Sequence, residues 1–430
     1  MKLEYATGFY NISFFNINIK TKEELTQNIL KKEEATFTHE FIHYLQDLIL
    51  PYNIRYNLSN VRYFFNILES AHKNGKIIRP FDEWTDESRA LKTQFIRSFG
   101  GIVRNGSDKF IDQVSEIVKI SANSEITSGF DSNLNVKREH HVYSYCLSVL
   151  KVGETEPISY HLGARDLLEY IAYKIELKNF PNRPLAPQLP YESVDLIFSK
   201  YGLSHITDDI RLCIAECCLY NDNPIRFLFN ILLGNEEIKK FISKSSYEEI
   251  YEYLLNLETV TRDGYSESLI NKTRRRLEQF ANELYMQYSG FDEIRKWILK
   301  VNNFVENKLQ ERFIFSDLYK MNNDEVHKFI NDVISQIGVP LVINSKGKYI
   351  SIHLNETEAL QFIQFYILQN FIVFVCNKTP VCPIYNFCKA NEGICNDNCI
   401  LNNQNSIKGN KNCCYRKFLE TYGLLDIEFN

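Results

Sequence analysis

The sequence predicts a mainly α-helical protein with small β additions. Apolar residues recur at helical spacing through much of the chain, and residues 191–335 follow this pattern almost without interruption. Runs in which apolar and polar residues alternate, as they do in half-buried strands, are few and short. With only 11 Pro and 17 Gly among 430 residues, long linkers are not expected, and a hydrophobic content of 44% indicates a well-filled core.

A chain of this length is long enough for two or three domains, and we expect three units. Residues 1–190 form the first, with an insertion at about 75–158. It closes at KNFPNRPLAPQLP, whose prolines suit an irregular crossing. Residues 191–338 form a helical domain. Residues 339–430 contain a hairpin, a long helix and a cysteine-rich tail.

Local patterns place the main elements of the first and third units. Residues 33–50 lack Gly and Pro and precede Pro51, so they predict one helix. The other expectations are a strand at 8–19, helical segments at 57–74 and at 82–120, the latter broken at Gly100-Gly101 and Asn105-Gly106, and a polar surface loop at 121–133. They continue with one or two strands at 139–152, a helix from Gly163 to about Leu177, and a hairpin at 340–353 that turns at Asn344–Gly347.

The most informative motif is His39-Glu40-Phe41-Ile42-His43, which reads H-E-x-x-H. On a helix, two histidines four residues apart lie one above the other and can bind a single metal ion. Glu40 points about 100° away around the helix, where it can touch a metal-bound water without being a ligand. The alternative is a pair of surface histidines on an amphipathic helix.

Zinc in a hydrolytic site usually has three protein ligands. Ile49 stands where the elongated H-E-x-x-H-x-x-G-x-x-H motif has its third histidine, so that class is excluded. The best candidate is Glu169, which shares a helix face with Ala172, a small residue that permits close approach of two helices. That face could also be a solvated charged surface. The fallback ligands are Glu176 and His161, with Glu216 a remoter one.

The runs Phe37-Thr-His-Glu-Phe-Ile-His-Tyr-Leu-Gln-Asp47 and Leu162-Gly-Ala-Arg-Asp-Leu-Leu-Glu-Tyr-Ile-Ala172 resemble a group of bacterial zincin-like proteins. More broadly they resemble gluzincin metallopeptidases, whose third zinc ligand is a glutamate on a second helix. The resemblance implies a zincin-like metal-binding core and a catalytic zinc ion. It also implies His39, His43 and Glu169 as ligands and Glu40 as general base.

These motifs predict a zinc-dependent hydrolase. Among such enzymes, we favour a peptidase that cleaves a protein or peptide substrate. Glu40 would take a proton from the attacking water and deliver it to the leaving amine. Tyr160 and His161 are candidates for the oxyanion donor. Gln46, Asp47 and Asp166 are candidates for holding the ligand imidazoles. The alternatives are an inactive or structural zincin-like protein with an interaction or regulatory role, and a zinc hydrolase for another substrate class.

Seven of the 11 cysteines lie between residues 376 and 414. They include no C-x-x-C pair, so a standard zinc ribbon is excluded. Such a cluster still predicts a second metal centre, either zinc or an iron–sulfur cluster, against the alternative of free or disulfide-linked thiols. The predicted ligands are four among Cys382, Cys388, Cys395, Cys399 and Cys413, whereas Cys376 is expected in the core.

Bulk properties bear on location and partners. The N-terminus lacks a secretory pattern, and the apolar run 359–376 carries four amide side chains, so we expect a cytoplasmic protein without a membrane span. A net charge of −5 gives no reason to expect a nucleic-acid partner. The large helical region suggests a surface for a regulatory protein partner.

Overall fold

The structure is a computed structural model of the chain. It describes residues 8–11, 15–86, 88–89, 110–131, 136–260, 266–287, 291–308, 312–378, 382–391, 399 and 413–430. Over these residues the protein is mainly helical with small sheets, as the sequence predicted.

The helices in the described residues run in this order: α1 (Gln27–Lys32), α2 (Glu34–Ile49), α3 (Pro51–Asn74), α4 (Phe81–Trp84), α5 (Ala164–Asn179), α6 (Gln188–Tyr191), α7 (Ser193–Lys200), α8 (Asp208–Leu219), α9 (Pro224–Arg226), a π-helix (Phe227–Leu233), α10 (Glu236–Lys244), α11 (Tyr247–Leu255), α12 (Leu269–Gln287), α13 (Asp292–Lys308), α14 (Ile314–Lys320), α15 (Asn323–Ile337), α16 (Glu356–Val375), α17 (Tyr385–Asn391) and α18 (Cys414–Thr421). The strands are β1 (Gly8–Asn11), β2 (Asn16–Ile19), β3 (Lys76–Ile77), β4 (Val114–Asp131), β5 (Val136–Lys151), β6 (Ile158–Leu162), β7 (Glu258–Val260), β8 (Ser266–Ser268), β9 (Val339–Asn344), β10 (Tyr349–Ile352) and β11 (Glu428–Phe429).

One four-stranded sheet has the order β1-β2-β9-β10. The strand predicted at 8–19 is in fact two antiparallel strands, β1 and β2, and the hairpin predicted at 340–353 is confirmed as β9 and β10. Strand β2 pairs in parallel with β9. Segments that the sequence placed in the first and third units therefore share a sheet, while the three-domain division itself stays a prediction.

A long antiparallel hairpin, β4 and β5, carries β6 on its other side. The helix predicted at 82–120 is wrong over residues 110–120, since 110–113 are not helical and Val114 begins β4. The loop predicted at 121–133 is wrong as far as Asp131, which ends β4, and residues 90–109 and 132–133 lie outside the described residues. Val114 and Ile117 are three residues apart and both buried, which imitates helical spacing. The pairing of β4 with β5 shifts register twice in this stretch, and such irregularities interrupt the alternation of a regular strand.

The helix predicted at 33–50 is confirmed as α2, and Pro51 begins α3. Every residue of α2 from Thr36 to Ile49 is buried, since the helix packs against α3, α5 and β2. Distant segments also hold it: the Tyr44 hydroxyl donates to the Gly338 carbonyl at 2.8 Å, and the Thr273 hydroxyl donates to the Ile49 carbonyl at 2.9 Å. Helix α2 is thus a central element of the core.

The C-terminal part of the chain returns to the N-terminal part. Phe418 and Tyr422 pack on Phe64 of α3, and β11 pairs in parallel with β3. Among the described residues, α16 is the one helix long and apolar enough to cross a membrane by length and composition. Its buried side chains, among them Phe365 and Phe371, belong to the hydrophobic core.

Candidate metal centre

The predicted ligands come from two helices that pack against each other. His39 and His43 lie one turn apart on α2, and Glu169 projects from α5. The helix predicted from Gly163 is confirmed as α5. Ala172 of α5 is fully buried, consistent with the small residue expected where two helices approach closely. The structure therefore brings Glu169 to His43, although the two residues are 126 positions apart in the chain.

Three atoms form the centre: Nε2 of His39, Nε2 of His43 and Oε2 of Glu169. The two nitrogens are 3.2 Å apart, and the carboxylate oxygen lies 3.3 Å from His43 and 3.4 Å from His39. Ligands at normal zinc distances in a tetrahedron are separated by about 3.3 to 3.5 Å. The triangle therefore fits one face of a tetrahedral zinc site. In the part of the chain that the structure describes, it is the one such group of His, Cys, Asp or Glu ligand atoms.

The other ring nitrogens of the two histidines have partners of their own. Nδ1 of His39 lies 2.8 Å from Oε2 of Glu176, whose second oxygen pairs with Arg183. Nδ1 of His43 lies 2.7 Å from Oε1 of Gln46, whose amide donates to the Leu168 carbonyl at 3.1 Å. Such contacts fix the ring orientation and leave both Nε2 atoms for a metal ion.

The charged groups of the candidate centre shift one another's pKa values towards the charged forms. Burial alone would lower the pKa of His39, but the charge of Glu176 and hydrogen bonds to Glu169 and Glu176 outweigh it and raise that pKa well above its usual value. Burial alone would raise the pKa of Glu169, but His43 and His39 hold it well below the usual range. Arg165 lies 3.7 Å from the other Glu169 oxygen. Glu169 is therefore an anion at neutral pH, as a metal ligand must be.

Glu40 lies beside this triangle without belonging to it. Its side chain is buried, and among the described residues its Oε2 has no hydrogen-bond partner. Burial raises the pKa of Glu40 to about 7, although the charges of His39 and His43 oppose the rise. A carboxyl with a pKa near neutrality can both accept and return a proton, which is the property required of a general base.

Three residues predicted to stabilise the oxyanion or to hold the ligand imidazoles make hydrogen bonds of another kind, and a fourth makes none at its buried nitrogen within the described part of the chain. The Tyr160 hydroxyl donates to Asp166 at 2.6 Å, and the other Asp166 oxygen accepts from the Gly163 amide at 2.8 Å. Both groups thus hold the start of α5, and the Tyr160 proton is already engaged. Asp47 accepts from Asn53 at 2.8 Å. His161 lies on β6, and its buried Nδ1 has no hydrogen-bond partner among the described residues.

Sequence reasoning missed Tyr191, which ends α6. Its ring centroid lies 6.2 Å from that of His39, and its side chain is half-buried. Burial raises its pKa, and the charges of Glu169 and Glu40 raise it further, so the hydroxyl keeps its proton. With 26 tyrosines in the chain, no sequence pattern singles out this residue. The nearby proline-rich segment has a sequence that predicts only an irregular connection.

The remaining predicted ligands lie elsewhere. Glu176 contacts the outer nitrogen of His39, and Glu216 is buried, where it accepts from the Ser316 amide at 2.8 Å at the start of α14. Of the cysteine set, Cys382, Cys388, Cys399 and Cys413 are described, and Cys395 lies outside the described residues.

Comparisons of the chain with protein-family models, with curated proteins and with solved structures gave no match in any of the three.

Proposed function

We propose that the protein is a zinc-dependent hydrolase whose most suitable substrate is a peptide bond. The observation that carries the proposal is the triangle of two imidazole nitrogens and one carboxylate oxygen, with edges of 3.2, 3.3 and 3.4 Å. The proposal includes a zincin-like core, in which α2 supplies two ligands and the general base while α5 supplies the third ligand.

A metal ion explains the arrangement better than a cluster of core side chains does. Two buried histidines direct their Nε2 atoms at each other, although each has a suitable partner at Nδ1. Both Nδ1 atoms face side-chain oxygens, which favours the tautomers that carry the proton on Nδ1. In these tautomers the two Nε2 lone pairs and the Glu169 carboxylate converge on one place, and a cation there would bind all three.

Zinc, when bound, supplies Lewis-acid activation of a water molecule and of a substrate carbonyl. The chain itself supplies the proton transfers. Glu40 accepts the proton of the attacking water and returns it to the leaving amine, as its unpaired, buried carboxylate oxygen permits. Tyr191, which keeps its hydroxyl proton, is the donor best placed to stabilise the developing oxyanion.

A structural metal centre is the second candidate, and burial is the observation that favours it. His39 is 9% exposed and Glu40 is 4% exposed, so access for a substrate is narrow. In that case the ion would hold α2 against α5 and the chain would serve as an interaction or regulatory protein. The two candidates share the ligands and differ only in whether a water position is open to substrate.

The test compares three forms of the full-length protein: wild type, His43→Ala and His205→Ala. His205 is an exposed histidine that contacts Ser243, so it is a matched control. Zinc content is measured by mass spectrometry after dialysis, and hydrolysis is measured with a pool of fluorogenic peptides. We expect hydrolysis and the same zinc content in wild type and His205→Ala, and in His43→Ala no hydrolysis and one zinc ion per chain fewer.

Unchanged zinc content in a folded His43→Ala protein would overturn the ligand assignment. If His43→Ala loses zinc but the wild-type protein hydrolyses none of the peptides, the structural candidate is favoured. Hydrolysis that persists in zinc-free protein would refute the metal mechanism.

A further inference from the structure

We propose that the C-terminal cysteine cluster is a second zinc site, formed around Cys388 and Cys414 with the other ligands drawn from Cys382, Cys399 and Cys413. The site is independent of the hydrolase proposal. It also revises the ligand set that the sequence predicted, which did not include Cys414.

The central pair comes from two helices that are far apart in the chain. Cys388 lies in α17, Cys414 is the first residue of α18, and their sulfur atoms are 3.1 Å apart. Both side chains are buried. A disulfide requires about 2.05 Å between the sulfurs, whereas two thiolates on one zinc ion are about 3.8 Å apart. The pair lies between these values and provides two ligand atoms in one place.

Three other described cysteines lie in the same part of the tail as this pair. Cys413 precedes Cys414 at the cap position of α18, and Cys399 is near enough to Cys413 to interact with it electrostatically. The Cys382 amide donates to the Cys399 carbonyl at 3.3 Å, which joins these two cysteines through their backbones. Cys382 and Cys413 are both near enough to the buried Tyr415 hydroxyl to interact with it electrostatically. In the proposed site, metal binding would draw the further sulfurs from these three cysteines.

The short helices of the tail are a setting in which a structural zinc ion contributes to folding. Zinc binds thiolates at about 2.3 Å, and a structural site gains most from four of them. The helices that carry the pair are short, α17 with seven residues and α18 with eight. Segments of this length have little core of their own, and a metal ion would add stabilisation to their packing against the rest of the chain.

The position of α18 indicates what the ion would hold. Phe418 and Tyr422 pack on Phe64 of α3, and the His72 ring lies 3.0 Å from the Tyr422 carbonyl. Helix α3 follows directly from α2 at Pro51. A zinc ion that joins α17 to α18 would therefore fix the tail against the helix that continues the first metal centre.

The experiment measures zinc per chain in the full-length protein. In a background of His39→Ala and His43→Ala, which removes the first centre, we expect one zinc ion to remain. Adding Cys388→Ser and Cys414→Ser should remove it, whereas adding Cys146→Ser, a half-buried thiol on β5, should not. Circular dichroism checks that each variant folds.

A second measurement needs no variant of the tail. Cobalt substituted into the background protein should give the intense ultraviolet charge-transfer absorption of cobalt–thiolate bonds, which a site of imidazole and carboxylate lacks. Absence of this absorption, zinc retained after loss of both thiols, a Cys388–Cys414 disulfide in the purified protein, or iron with inorganic sulfide in place of zinc would each overturn the proposal.

Discussion

Oε2 of Glu176 lies 2.8 Å from Nδ1 of His39, so a carboxylate on α5 fixes the ring of a predicted ligand on α2. The same helix carries Glu169, about two turns earlier, which faces the Nε2 side of that ring. Helix α5 therefore acts on His39 from both sides. A carboxylate behind a ligand histidine fixes its tautomer and makes it a stronger ligand.

Replacing Glu176 with Gln should weaken metal binding without abolishing it. The amide keeps the shape of the side chain but loses the charge that favours a strongly donating His39, so we expect about 10- to 100-fold lower zinc affinity. Affinity is measured by competition with a chelator. The control is Glu154→Gln, the same change at an exposed glutamate between β5 and β6. Equal affinity of wild type and Glu176→Gln would show that this contact does not support the ligand.

Glu40→Gln should separate chemistry from metal binding. Glutamine cannot accept the proton of the attacking water, so we expect kcat to fall at least about 100-fold. Zinc content should be unchanged because Glu40 is outside the ligand triangle. Full activity in this variant would remove Glu40 from the mechanism, and loss of zinc would make it a ligand.

The raised pKa of Glu40 has a consequence for the stability of the metal-free protein. Its carboxyl titrates near 4.5 when unfolded and at about 7 when folded, so the folded state retains the proton more strongly. This contribution is fully present below pH 4.5 and is lost as pH rises through 7. Glu40→Gln has no such proton to lose. Relative to wild type, the metal-free variant should therefore gain stability between about pH 5 and pH 8, by up to about 3 kcal/mol.

Chemical denaturation in the presence of a chelator, at several pH values, measures this difference. Glu24→Gln removes an exposed carboxylate and is the control, which should follow wild type. A constant difference between Glu40→Gln and wild type across the range would mean that Glu40 does not titrate as proposed.

Tyr191→Phe tests the oxyanion donor. Loss of one donor that acts on the transition state should reduce kcat by about 100-fold and leave KM nearly unchanged. The neighbouring Tyr173, whose ring centroid lies 5.4 Å from that of Tyr191, provides the control Tyr173→Phe. A larger effect of Tyr173→Phe, or a change in KM alone, would assign Tyr191 a role in packing or substrate binding.

The three residues of the candidate metal centre could be selected from local patterns in the sequence. His39 and His43 share a helix face through spacing alone, and Glu169 lies in a helix with a small residue one turn later. Gln46 was also predicted as a support for the ligands and contacts His43. Glu176 was predicted only as a fallback ligand, and its contact with Nδ1 of His39 was not foreseen. Spacing gives the face of a helix but not the depth at which each side chain lies.

Other features depend on tertiary contacts that no local pattern contains. The first part of β4 has the spacing of a helix, because Val114 and Ile117 are both buried at a place where strand register shifts. The rest of β4 is polar and rich in Ser and Asn, which is the composition of a loop. Tyr191 reaches the site only through the path of residues 180–190, which has no periodic signal. The contact of Cys388 with Cys414 joins positions 26 residues apart and could not be selected from seven tail cysteines by spacing.

The hydrogen bond from Tyr44 to Gly338 and the pairing of β2 with β9 have a consequence for biosynthesis. The partners of the Tyr44 bond are 294 positions apart, so α2 leaves the ribosome long before the segment that completes its surroundings. During translation its histidines would be accessible to any available cation before Glu169 is made. Correct metal loading is therefore expected to be a late event that follows synthesis of the segments enclosing α2.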